Sequence, residues 1–311
     1  MPQTGPWSAC KKWLRNRVGA ERISYLGRSY ADYVLWDAIY HRFLHDKPNA
    51  SALELGSAPG RNLVRLGNTF GLQPFGVEYS EAGVMQNRGV FRQAGIPEDH
   101  VIFADAFSAD FLGSYSNRFD TVFSNGVIEH FTDPSKVIDV HIAVVKPGGL
   151  LLVSIPNYRW TNWLLKRIFD GDSLPEHNNL NTMKPEVFRQ LFANRSIEEL
   201  YCAPYGSINV GISQPLRRKG WRWACYLLLE KIQLPLNLIL RTCFGANAPN
   251  SRFTSPFLLY VGRKADPVTT EHQFQSWPSN LSKKLLKNAV ASRPYGRGWM
   301  QSSLFYTSTQ P

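Results

Sequence analysis

The chain has 311 residues, 43% of them hydrophobic, and a formal net charge of +11. That is enough for one well-buried core with insertions, or for two small domains, and the basic balance suits anionic partners such as nucleic acid, anionic lipid or phosphorylated substrates. The four cysteines, Cys10, Cys202, Cys225 and Cys243, are scattered with no C-x-x-C pair, which argues against a zinc knuckle or a disulfide framework.

No apolar run of the signal-peptide kind opens the chain, so a cytoplasmic location is the expectation. Between Arg22 and Asp46, Tyr25, Leu26, Tyr30, Tyr33, Val34, Trp36, Tyr40 and Phe43 recur at near-helical spacing. They predict one or two helices in an N-terminal cap, residues 1–46, packed on the sheet edge, over the mouth of a site, or both.

The stretch Ala52 to Leu66 reads as a short apolar strand, a glycine turn and an amphipathic helix. Its turn is Glu54-Leu55-Gly56-Ser57-Ala58-Pro59-Gly60. Gly56 and Gly60 let the backbone pass close to a ligand that a Cβ would block. Glu54 points a carboxylate into the same mouth. The spacing is E-x-G-x-x-x-G, not the G-x-G-x-x-G of dinucleotide folds.

Pro74 to Glu78 is a second apolar strand, ending in an acid 18 residues past Gly60. An acid so placed can accept both ribose hydroxyls of an adenosine ligand. Ser80 caps the next helix, with Glu81 in its first turn and a stop near Gly95. The third strand, Val101 to Asp105, is followed by Ala106. The fourth, Phe119 to Ser124, leads into Asn125-Gly126-Val127-Ile128-Glu129-His130-Phe131. Asp133 and Pro134 start a helix that ends at Lys146-Pro147-Gly148-Gly149, and Leu150 to Ile155 is a continuous apolar strand buried on both faces.

This ordered set resembles class I S-adenosylmethionine (SAM)-dependent methyltransferases over Ala52 to Pro156. The alternation of strands and helices independently implies a parallel sheet. The resemblance implies an α/β, Rossmann-like sheet of seven strands, mostly parallel with an antiparallel last strand, and helices on both faces. It implies that Glu54, Gly56, Ser57, Gly60, Glu78, Tyr79, Asp105, Ala106, Asn125 and Gly126 hold SAM. In that assignment Asp105 accepts from the adenine amino group, and Asn125 and Gly126 lie near the methionine part.

Methyl transfer from SAM needs an acceptor held in line and relieved of a proton. His130, beside Glu129, and His177, in the loop after strand five, are the candidate bases. The run Val127 to His130 also resembles ubiquinone-pathway O-methyltransferases, some of which bind a divalent metal through E-x-x-E-H. Gly126 stands where the first acid would be, so no metal is expected.

Beyond strand five, Tyr158 to Asn181 interrupts the pattern, with Trp160, Trp163, Lys166 and Arg167. Thr182 reads as the cap of a helix Pro185 to Phe192, Ile197 to Cys202 as the sixth strand, and Pro256 to Lys264 as the seventh. An insertion before the last strand, residues 203–255, carries Arg217-Arg218-Lys219-Gly220-Trp221-Arg222-Trp223 and then an apolar stretch to Phe244. Leu228, Ile232, Leu236, Ile239, Leu240 and Cys243 would line one face of it. A lid over the site is the favoured reading, with peripheral membrane contact through residues 217–244 and an oligomer contact as alternatives. After Glu271 the charges are all basic (Lys283, Lys284, Lys287, Arg293, Arg297), so residues 265–311 read as a basic, poorly ordered tail, after a methyltransferase domain at 47–264.

The expected function is O-methylation of a small-molecule or glycan-like acceptor, which a lipid-linked acceptor would tie to the basic insertion. N-methylation, RNA-directed methylation and a non-catalytic SAM-binding scaffold are the alternatives. The sequence Ser124-Asn125-Gly126-Val127 stands in place of the N-P-P-Y type motif of nucleic-acid adenine methyltransferases, which counts against a nucleic-acid acceptor.

Overall fold

In a computed structural model, residues 29–44, 47–169, 178–210 and 220–266 are described. One seven-stranded sheet organises them: β1 (Ser51–Leu55), β2 (Gln73–Glu78), β3 (Val101–Phe103), β4 (Phe119–Asn125), β5 (Val145–Pro156), β6 (Ile197–Tyr205) and β7 (Phe257–Lys264), in the spatial order β3-β2-β1-β4-β5-β7-β6. The first five strands are parallel, and β7 runs antiparallel to both β5 and β6. The antiparallel strand is therefore the last in sequence but not the outermost: β6 forms the edge.

The helices are α1, assembled from Tyr30–Tyr33, a wide π-helical stretch Val34–Tyr40 and His41–Leu44, then α2 (Arg61–Phe70), α3 (Glu81–Gln93), α4 (Ala109–Tyr115), α5 (Pro134–Val144), α6 (Trp160–Phe169), α7 (Pro185–Gln190) and α8 (Gly220–Phe244). The caps follow local chemistry. Ser80 accepts from the Gly83 N–H, and Asp133 accepts from the Ser135 N–H with Pro134 in the first turn.

Strand periodicity divides the core. Leu53, Val122, Leu151 and Val153 pack on one face with Ile138 and Phe188. Ala52, Phe123, Leu150 and Leu152 pack on the other with Trp36, Tyr40, Leu63 and Leu66 of α1 and α2. Because side chains alternate along a strand, Glu54, Asn125 and Ser154 continue this second face to the carboxyl ends of β1, β4 and β5, where α1 lies.

Several boundaries differ from the sequence expectation. The Lys146-Pro147-Gly148-Gly149 run belongs to β5, whose ladder begins with Phe119 opposite Val145. Lys184, not Thr182, precedes α7. Thr182 is buried, and its N–H is bonded to the Asn179 carbonyl. The stretch after β5 contains α6, which its two tryptophans and mixed charges did not reveal. The sixth strand continues to Tyr205, so the insertion starts later than residue 203.

His141 in α5 is fully buried. Its Nδ1 lies 2.7 Å from the Val137 carbonyl and its Nε2 2.9 Å from Ser124 Oγ on β4. Nδ1–H therefore donates to Val137, and Nε2 accepts from the hydroxyl. Burial pushes its pKa down to about 4. Its neutral form contributes stability present above the ordinary histidine range and lost as pH falls towards 4, about 3 kcal/mol in full. Denaturant unfolding at pH 7 and pH 4.5 should show this loss in the wild type, and His141→Gln should flatten it.

Candidate functional site

The strand order reverses between β1 and β4, the place in an open α/β sheet where a crevice forms outside the carboxyl ends. Glu54 of β1 and Asn125 of β4 meet there. Glu54 Oε1 accepts from Asn62 Nδ2 at 3.1 Å and from Asn125 Nδ2 at 3.4 Å. Its other oxygen, Oε2, is buried with no hydrogen-bond partner among the described residues. A buried carboxyl with one unsatisfied oxygen is costly. Burial pushes its pKa up to about 8, against the two amide donors that lower it. A cationic ligand group at Oε2 would remove both the missing partner and the penalty.

The turn after β1 is braced from behind. Gly56 has φ 67° and Gly60 φ 90°, and the Gly56 and Ser57 N–H groups both donate to the Val77 carbonyl, at 3.0 and 3.3 Å. The room beside Gly60 is taken by Asn87 of α3: a Cβ there would stand 2.1 Å from Asn87 Oδ1. Asn87 Nδ2 donates to Ser57 Oγ at 2.6 Å, and Gly76 leaves space for that same hydroxyl. Ser57 thus fixes the turn with its side chain, and Gly60 is required by an internal neighbour.

Glu78 ends β2, and its Oε1 accepts from the Tyr79 N–H, the Ser80 N–H and Ser80 Oγ at 3.1, 3.0 and 2.9 Å. Gly83 packs against its carboxyl carbon. Tyr79, 43% exposed, follows on the rim. Asp105 lies two residues past β3, exposed, and its Oδ1 accepts from the Phe107 N–H, with Ala106 between. Gly126 has φ 69° and its N–H donates to the Ser154 carbonyl, tying the end of β4 to β5. The acids Glu54, Glu78 and Asp105 therefore stand at or just beyond the carboxyl ends of three adjacent strands.

Four residues of this site carry no local motif. Tyr40 of α1 is buried beside Glu54 and Asn125, and burial raises its hydroxyl pKa well above the ordinary value. Asn62 and Asn87 act as above. Tyr205, at the end of β6, shares a 2.9 Å hydrogen bond with Ser154. The helix α1 is held over this group by Asp32, which takes both guanidinium nitrogens of Arg65 in α2 at 2.7 and 3.2 Å. The Arg65 guanidinium stacks on Trp36 at 4.0 Å.

On the β4–β5 side, Ile128–His130 forms a short 3-10 turn. Glu129 is buried, burial raises its pKa, and its Oε1 lies 3.8 Å from His130 Nε2. Asn179 latches this turn, its N–H donating to the Glu129 carbonyl at 2.7 Å and its Nδ2 to the Phe131 carbonyl at 3.3 Å. His177 lies outside the described residues. Just past β5 there is an open groove of about 410 Å³, lined by Tyr158, Arg159, Trp160, Trp163, Leu180, Asn181 and Lys184. Among the described residues no group of acids, histidines and cysteines could hold a metal ion.

Comparison with known proteins bears on the family and the fold. A family model described as a methyltransferase domain matches residues 28–201, more than half of the chain. Over 109 residues the chain is 30% identical to a glycine/sarcosine/dimethylglycine N-methyltransferase of Actinopolyspora halophila, covering 35% of this chain and 19% of that protein. Over 154 residues it is 23% identical to a ubiquinone biosynthesis O-methyltransferase of Bartonella bacilliformis, covering 47% of this chain and 59% of that protein. The chain thus spans less than two thirds of either relative. Among solved structures, MccD protein superposes with a TM-score of 0.50 at 16% identity, over 75% of this chain and 97% of that one, which shows the shared fold.

Proposed function

This chain belongs to the class I SAM-dependent methyltransferases, and from that premise we propose that it methylates a hydroxyl of a small, glycan-like acceptor held in the groove past β5. SAM supplies an activated methyl group on a sulfonium leaving group. The residues fit such a ligand: the unpartnered Glu54 Oε2 suits an ammonium, and Glu78, whose Oε1 takes three donors from its own turn, would meet the ribose hydroxyls through Oε2. Asp105 would accept from the adenine amino group, with Ala106 against the ring, and Asn125 with Gly126 would border the methionine part.

The observation that carries the acceptor reading is the groove itself. Trp160 and Trp163 offer flat apolar faces to a sugar ring, while Arg159 and Lys184 offer charge to an anionic substituent. The Glu129–His130 pair sits on the neighbouring turn, held to the groove's Leu180–Asn181 side by Asn179. An imidazole backed by a buried carboxyl suits removal of a hydroxyl proton as the methyl arrives. The likeness to an N-methyltransferase supports amine methylation as a second reading.

Incubation with methyl-labelled SAM and separate pools of sugar nucleotides, soluble glycans and small amines tests both. Label in an O-methyl ether of the sugar pools is expected. Label confined to the amines would replace the first reading by the second. In the same assay Glu78→Gln, which keeps an oxygen for the Tyr79–Ser80 turn, should bind SAM at least about tenfold more weakly, since charged hydrogen bonds contribute roughly 1.5–3 kcal/mol each. Unchanged affinity measured by calorimetry would remove Glu78 from the cofactor site.

A further inference from the structure

The helix α8 is built inside out. Its inward positions are Tyr226, Gln233, Asn237 and Leu240, two of them amides. Those amides are tied inward: Asn237 Oδ1 accepts from the Tyr30 N–H at 3.2 Å and from Gln233 Nε2 at 2.8 Å, Gln233 Oε1 accepts from the Val210 N–H at 2.8 Å, and Gln233 Nε2 also donates to the Ile208 carbonyl at 3.2 Å. Arg241 donates to the Ser29 carbonyl at 3.1 Å. Most of the outward positions are apolar. Trp221 is 65% exposed, Leu228 60%, Ile232 53% and Ile239 52%, with Leu227, Leu234, Leu238 and Phe244 also open to solvent.

An amphipathic helix on a soluble domain turns its apolar stripe to the core; α8 does the reverse. It is long and apolar enough to cross a membrane by length and composition, yet only 22% of its most apolar stretch is buried, so it is not a core helix. It cannot span a bilayer while Gln233, Asn237 and Arg241 hold it to α1 and β6's exit. It can lie flat.

We propose that α8 docks this methyltransferase on an anionic lipid surface, its apolar face sunk into the headgroup–acyl boundary. Charge selects that occupant. Among the described residues, the exposed charges of the helix are Arg222, Glu230 and Lys231, and Arg217, Arg218 and Lys219 immediately precede it in sequence. Trp221 and Phe244, both exposed, add aromatic area to the apolar side of a helix lying in the interface plane. A second copy of a chain of net charge +11, and the segment after Glu271, whose charges are all basic, carry the sign least suited to this flank, whereas an anionic lipid surface carries the opposite one. The neighbouring α6 touches α8 through Phe169 and Tyr226, ring centroids 6.0 Å apart, and exposes Trp160, Trp163 and Leu164. Trp160 and Trp163 also line the groove past β5, so a docked enzyme would hold that groove near the lipid surface. This goes beyond the acceptor reading and does not depend on it.

Flotation of the full chain with phosphatidylcholine vesicles, with and without phosphatidylglycerol, tests the docking. At low salt the protein should float with the anionic vesicles and be released as salt shortens the Debye length from about 30 Å at 0.01 M to about 10 Å at 0.1 M. The triple variant Leu228→Ser, Ile232→Ser, Ile239→Ser, altered only at exposed positions, should bind these vesicles at least about tenfold more weakly. Its SAM affinity should be unchanged, which reports an intact fold separately from any catalytic result. Failure of the wild type to float, or equal flotation of the triple variant, overturns the proposal. So does a wild-type dimer that the triple variant abolishes, which assigns the face to a second copy. Flotation seen only after deletion of residues 267–311 assigns it to the tail.

Discussion

Replacing Glu54 by Gln should weaken SAM binding by roughly 10- to 100-fold and abolish the proton release that accompanies it. The carboxyl is buried, its Oε1 takes two amide donors and its Oε2 takes none. Burial raises its pKa to about 8, so below that pH the ligand-free protein holds a proton there. Placing an ammonium against Oε2 favours the carboxylate and expels that proton. At about pH 6.5 an α-ammonium is itself still protonated, so the released proton comes from the protein. Calorimetry in buffers of different ionisation enthalpy should read about one proton lost per SAM bound at pH 6.5 and a smaller loss as pH approaches 8. The same shift has a consequence for the ligand-free protein. Its folded pKa lies above the unfolded value, so the stability linked to the protonated form is complete below about pH 4.5 and is lost as pH rises through about 8. Glu54→Gln should remove that slope. Equal affinity and equal proton release in the variant would take Glu54 out of the cofactor site.

The sequence made Glu54 visible because a strand, a glycine turn and a helix are written in consecutive residues. It also placed Glu78 and Asp105 at strand ends, and the alternation along β1, β4 and β5 puts Glu54, Asn125 and Ser154 on one face. What it could not show are partners brought in from elsewhere. Asn87 lies 30 residues from the Ser57 hydroxyl it holds, and Tyr205 lies 51 residues from Ser154. Neither position carries a period or a spacing rule. The glycines illustrate the limit: Gly60 reads as room for a ligand, and the structure fills that room with Asn87. The insertion illustrates it differently. Helical spacing assigned Leu228, Ile232, Leu236, Ile239, Leu240 and Cys243 to one apolar face, but the structure splits that set, burying Leu240 and exposing Leu228, Ile232, Ile239 and Cys243. The side that packs was decided instead by Gln233 and Asn237, whose hydrogen bonds to the backbone of Tyr30 and Val210 are long-range.

His130→Ala should lower the rate of methyl transfer by about 10²- to 10⁴-fold while leaving SAM affinity within about twofold, the range expected when a general base is lost. Three features of the site support this division. His130 follows β4 on the side of the groove, whereas Glu54, Glu78 and Asp105 lie at or just past the ends of β1, β2 and β3. Glu129, buried and 3.8 Å from His130 Nε2, is placed to stabilise the imidazolium that forms when the acceptor loses its proton. Asn179 clamps the backbone of Glu129 and Phe131, so the pair is held by a segment other than its own strand. Glu129→Gln should therefore lower turnover less than His130→Ala, because it removes the supporting charge and keeps the base. The double variant should be no slower than His130→Ala alone, since residues acting as one unit are not additive. His177→Ala serves as the control. If that variant alone loses turnover and His130→Ala retains it, the proton is taken by His177, and Glu129 with His130 only shapes the turn. Near-normal turnover in both single variants would place the base elsewhere or show an acceptor that needs none.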